Sequence, residues 1–189
     1  MIAFSGSFAF RLFLIGLLGA ILQVTAVSRV TLFGVSADLS PLLVASVGFI
    51  VGSVPGAVFG FFFGLLMDTM LYAKLGVSSL VFTAVGYGAG RIRELRDPAH
   101  GLAPVAVGAA ATVIALVGFA VLQLLLGVTV PVSLLLLRVM LMTIVLNTLL
   151  ALPIYALMHR LLVRFLPDDP RRRRRRAYTT GGLSPLSRA

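Results

Sequence analysis

Residues 39–73 read LSPLLVASVGFIVGSVPGAVFGFFFGLLMDTMLYA, and Asp68 is the only charge among them. As one straight helix this stretch would reach about 52 Å at 1.5 Å per residue. A bilayer's hydrocarbon core is about 30 Å thick. The stretch is therefore too long for a single crossing. Pro55 and Gly56 divide it into spans of about 39–53 and 55–73 joined by a tight turn, and a single strongly kinked helix is the alternative.

The rest of the chain has the same character. Residues 12–28, 39–67, 75–90, 98–137 and 139–159 carry no Asp, Glu, Lys or Arg, which covers 123 of 189 positions. Charged residues make up 12% of the chain, about half the usual share in a soluble domain. Mean hydropathy is +1.08. A water-soluble enzyme and a disordered basic protein are excluded. So is a membrane β-barrel, because the apolar runs are continuous where barrel strands alternate. The absence of cysteine excludes a disulfide frame and thiolate chemistry.

Further spans fall at about 8–28, 76–90, 102–126 and 131–152. The fold class is all-α: a polytopic membrane protein with six transmembrane helices. Pro41, Pro55, Pro104 and Pro131 each stand near a proposed helix start, where the missing N–H costs nothing. Residues 8–28 could pass for a signal peptide, but five more apolar segments follow and no clear cleavage site does. After Pro153, residues Ile154, Leu157, Met158, Leu161 and Phe165 share one helical face while Arg160 and Arg164 occupy another. That pattern predicts a surface-lying extension to residue 166. Residues 1–166 thus form the membrane domain, and 167–189 a disordered, Arg-rich tail.

Lys and Arg fix the orientation. With both termini in the cytoplasm, the inner segments hold 13 of the 16 basic residues, the outer segments hold Arg29 and Lys74, and Arg138 lies within a span. Six of the cations are the run Arg171, Arg172, Arg173, Arg174, Arg175 and Arg176. This run fits a solvated tail that sets topology and attracts anionic lipid. Binding of an acidic partner is the other reading. Nucleic acid is not expected, since no aromatics interleave with the run.

Inside the membrane, Gly56, Gly60, Gly64 and Asp68 recur every fourth residue. Such a stripe lets helices approach closely. It serves either internal packing or a groove for a partner's helix. A carboxylate at this depth costs about 2.5–3.5 kcal/mol on insertion scales and is usually paired. Helix rise places Asp68, Arg138 and Gln23 at similar depths in the outer third. They are expected either to form a buried Asp68–Arg138 pair with Gln23 nearby, or to separate, with Asp68 ending its helix at the headgroups and Arg138 reaching outward. Asn147 lies deeper and is expected to hydrogen-bond another helix. Asp38 precedes a helix start, which favours a carboxylate. His100 and His159 have no ligand-forming neighbour at helical spacing, and no nucleophile, zinc or phosphate-loop motif is present. No enzyme, metal or cofactor is expected.

Four segments together carry a family resemblance. They are Gly34-Val35-Ser36-Ala37-Asp38-Leu39, then Gly60-Phe61-Phe62-Phe63-Gly64-Leu65-Leu66-Met67-Asp68, then Leu75-Gly76-Val77-Ser78-Ser79-Leu80, then Val85-Gly86-Tyr87-Gly88-Ala89-Gly90. Their order and spacing, with Asn147 and Pro153 in the last span, resemble the rod shape-determining MreD family over residues 8–165. The chain departs at Ala37, where the family carries proline, and in its longer Arg-rich tail. The resemblance implies a non-catalytic scaffold or regulator of lateral peptidoglycan synthesis in the bacterial inner membrane. It implies association with MreC, MreB, RodA and a class B penicillin-binding transpeptidase. It also implies a fold like the substrate-binding (S) subunit of energy-coupling-factor transporters. That likeness leaves a vitamin-binding membrane subunit as the rival function.

Overall fold

The computed structural model describes residues 6–25, 31–32, 35–95, 102–127 and 134–163. Within them lie six helices: α1 (Gly6–Thr25), α2 (Ser40–Val51), α3 (Ser53–Met70), α4 (Val77–Leu95), α5 (Ala103–Leu125) and α6 (Leu134–Val163). A small antiparallel hairpin, β1 (Thr31–Leu32) and β2 (Val35–Ser36), stands between α1 and α2 with Thr31 opposite Ser36. The expected all-α class is what the chain adopts. Four helices are long and apolar enough to cross a membrane: Phe8–Thr25, Ser53–Met70, Ala103–Leu125 and Leu134–Leu162. The Arg171–Arg176 run and its tail lie outside the described residues, as do Arg29, His100 and Pro131.

The long apolar run that opened the sequence reading is two helices, not one kinked helix. They part at Gly52, three residues before Pro55, which falls inside the first turn of α3. Gly52 has φ +131°, a conformation that L side chains rarely adopt. One residue therefore reverses the chain. No helix break occurs at Pro153, where a separate surface segment was expected. The proline sits inside α6, which continues to Val163. Its last turns bury Ile154, Met158 and Leu162, and this packing holds the helix together past the freed carbonyl.

Helix α2 is the centre of the molecule, and all twelve of its residues are buried. It packs against α3, α4, α5 and α6. Glycine sets the spacing of the inner three helices. A Cβ on Gly56 would stand 2.5 Å from both the Gly48 Cα and the Gly86 carbonyl oxygen. One on Gly60 would strike the Phe82 carbonyl, and one on Gly64 the backbone of Ser79. Helices α2, α3 and α4 thus touch backbone to backbone, held by van der Waals contact. The Gly56–Gly60–Gly64 stripe is consumed inside the bundle, so it is not an open groove for a partner.

At the Gly52 end, α4 fastens this turn. Glu94 Oε1 accepts from the Ser53 backbone N–H at 3.0 Å and from the Ser53 hydroxyl at 2.7 Å. Its other oxygen pairs with Arg91 at 3.3 Å. The Arg93 guanidinium donates to the Ile50 carbonyl in the last turn of α2. The hydrogen bonds from Ser53, and then the Arg91 charge, hold the Glu94 carboxyl below its ordinary value of 4.5. A carboxylate depressed in the folded state contributes stability above its unfolded pKa and loses it as pH falls through the folded value. Wild type should therefore exceed Glu94→Gln in thermal midpoint at pH 7. The gap should close as pH drops below about 4, the unfolded carboxylate range, in detergent-solubilised protein followed by intrinsic fluorescence.

Candidate functional site

Three backbone residues between the hairpin and α2 pose the main physical problem of this fold. Residues 37–39 are not helical, yet they lie part-buried where α1, α2 and α6 meet. Their backbone groups have no helical partners and must find others in the protein.

Two carboxamides supply them. Asn147 on α6 donates from Nδ2 to the Asp38 carbonyl at 2.8 Å and accepts from the Asp38 N–H at 3.1 Å through Oδ1. Gln23 on α1 donates from Nε2 to the Ala37 carbonyl at 3.3 Å and accepts from the Leu39 N–H at 2.9 Å. Asn147 thus takes both backbone groups of Asp38, and Gln23 takes the flanking Ala37 carbonyl and Leu39 N–H. Asn147 also donates to Thr112 Oγ1 on α5 at 3.2 Å, and Thr112 donates to the Gly108 carbonyl. Asn147 is fully buried and Gln23 is 8% exposed. The Asp38 carboxylate turns back to accept from the Ser40 N–H at 3.0 Å, at the start of α2. Four helices, α1, α2, α5 and α6, meet at this clamp.

The expected reach of Asn147 to another helix is met by Thr112. The expected Asp68–Arg138–Gln23 cluster does not form. Asp68, fully buried, accepts instead from the backbone N–H groups of Gly76 at 2.7 Å and Ser78 at 3.2 Å. Those are the opening donors of α4, where the helix dipole favours an anion. They lie within ten residues of Asp68, so the local cap outcompetes a long side chain from across the bundle. Arg138 is exposed on α6. The two charges are separate, and Asp68 is buried as a cap on α4 where the alternative placed it at the headgroups.

A cleft of about 600 Å³ opens between α1 and α3. Leu12, Phe13 and Leu17 line one wall, and Val58, Phe62 and Leu66 the other. The sole polar side chain on it is Thr69. It exists because α1 is lightly held. Helix α1 touches α3 where Gly16 meets the Phe59 and Phe63 rings, and α2 where Gly19 meets Leu43. Its far end is pinned by Gln23.

A sequence model of the rod shape-determining protein MreD matches residues 5–161. The chain belongs to the MreD family. Membership ties this chain to rod-shape determination, to the rod-shape complex and to the membrane. Comparisons with curated proteins and with solved structures give no match.

Sequence reasoning missed Thr112 and the backbone of 37–39. The available signal was the pair of uncharged amides, Gln23 and Asn147, in otherwise apolar helices. Asn147→Leu strips both Asp38 backbone groups of their partner. At about 1–3 kcal/mol for an unsatisfied buried group, we expect about 2–4 kcal/mol lost in urea-SDS unfolding, against about half that for Gln23→Leu.

Proposed function

We propose that this MreD family protein is a membrane scaffold and regulator of the elongation machinery, working through its α1–α3 cleft. The cleft receives a transmembrane helix of a neighbouring component: the single span of MreC, or a span of RodA or of the class B transpeptidase. Helix association in lipid depends on close packing. The cleft offers aromatic and aliphatic walls along most of α3, beside the least tightly held helix. That observation carries the reading. The glycine stripe cannot take this role, because its contacts are already made within the bundle.

The full proposal has six crossings and both termini in the cytoplasm, with α2 and α4 as the short crossings. The excess of Lys and Arg on one side supports it. The basic end of α4 then faces MreB filaments and anionic lipid. A partner helix that fits one position of α1 better than another shifts the bundle toward it, which lets a non-enzyme regulate synthesis. A vitamin-binding role would call for several polar groups converging in a concavity. Here Gln23, Asn147 and Asp68 spend their bonds on backbone groups, so no observation favours the transporter reading.

Filling the cleft tests the proposal. In a rod-shaped host carrying Val58→Phe with Leu65→Phe as its sole copy, cells should become round while protein level stays unchanged. Leu149→Phe, on the exposed face of α6, should leave rods. Normal rods with the filled cleft would contradict the proposal.

A further inference from the structure

At the Gly52 end, side chains that the sequence reading left unassigned come together. Tyr155, half-buried on α6, packs edge-on against Phe49 of α2 with ring centroids 5.8 Å apart. One turn further, the exposed His159 ring lies 5.8 Å from Tyr155. Arg93 comes in from α4 to the carbonyl of Ile50, the residue next to Phe49. Arg160, also exposed, follows His159.

Helices α1, α2, α5 and α6 contain no acidic residue. The acid of α4 is Glu94, and its oxygens are engaged by Ser53 and Arg91. A shallow apolar crevice adjoins the group, between α2, α5 and α6. Phe49, Pro104, Val107, Ala151 and Tyr155 line it. A phenol that borders an apolar crevice, with an imidazole beside it and a guanidinium on the neighbouring turn of α2, matches a phosphate ester that carries hydrocarbon. Basic pockets between transmembrane helices bind lipid headgroups in this way.

We propose that Arg93, Tyr155 and His159 form a headgroup site for one anionic phospholipid. The phosphate accepts from the Tyr155 hydroxyl and the His159 ring and lies beside the Arg93 charge. The acyl chains run in the surrounding lipid along the exposed apolar side chains of α6, such as Leu152 and Leu157. The site extends α6 past Pro153 into a role: the continued helix is what brings Tyr155 and His159 beside α2 and α4. It is distinct from the α1–α3 cleft and stands whether or not a partner helix occupies that cleft.

Native mass spectrometry of the full chain, released from vesicles of phosphatidylglycerol or of phosphatidylcholine, tests this. One retained phosphatidylglycerol is expected, with at least tenfold less retention of phosphatidylcholine. Tyr155→Phe combined with His159→Gln should lower retention about tenfold. Arg91→Gln, whose side chain pairs with Glu94, should change it less than twofold, and so should the full chain with Arg171–Arg176 replaced by Gln. Unchanged thermal midpoints for these variants separate lost binding from lost fold. Equal retention of the two lipids would overturn the site, as would loss only in the tail variant. Displacement of the lipid by 10 mM inorganic phosphate would assign the site to free phosphate and overturn the lipid.

Discussion

A buried peptide group must find a hydrogen-bond partner in the protein, and this fold places three residues where no helix can serve them. Everything around Ala37–Leu39 follows from that demand. Gln23 and Asn147 are spent on it, each offering one donor and one acceptor to the backbone of this segment. The cost of leaving such groups unpaired, about 1–3 kcal/mol each, fixes the register of α1 and α6 against the start of α2. Helix α2 can therefore be short, and as the buried centre of the bundle it sets where the other helices lie.

The remaining polar groups obey the same rule at other depths. Asp68 satisfies the first N–H groups of α4 across a short loop. Glu94 satisfies the first N–H of α3 from the end of α4. Arg93 takes a carbonyl at the end of α2. Helix ends here are closed by side chains from neighbouring helices more than by their own. That makes α2, α3 and α4 one unit, with glycines at the contacts, while α1 joins it through Leu12 and Ala20 in the core, the Gly16 and Gly19 crossings and Gln23.

Much of this was legible in the sequence. Hydrophobic length and proline placement point to the helices because burial in lipid demands long uncharged runs, but the end of the last one is missed, since α6 runs through Pro153 to Val163. The family signal lay in ordered motifs. The turn at Gly52 was placed three residues late, because proline is a conspicuous marker while the value of a positive φ is invisible in a letter string. The Asp68 pairing was misjudged because depth is one coordinate and packing needs three. Asp68 is buried against the start of α4, whereas Arg138 is exposed on α6. The glycine stripe was recognised, yet spacing alone does not say which neighbour it meets. His159 was set aside for want of a helical-spacing partner, whereas its neighbours Tyr155 and Arg93 come from different parts of the chain.

The central claim is that this scaffold meets its neighbours in the complex through the cleft between α1 and α3. The chain has no cysteine, so a single introduced one reports unambiguously. Phe62→Cys, on the cleft wall, should form disulfide crosslinks in living cells to a cysteine scanned along one transmembrane span of the rod complex, with helical periodicity. Leu149→Cys on the exposed face of α6 should form none with that span. Crosslinking from Leu149→Cys with none from Phe62→Cys would contradict the account and move the interaction surface to the other side of the bundle.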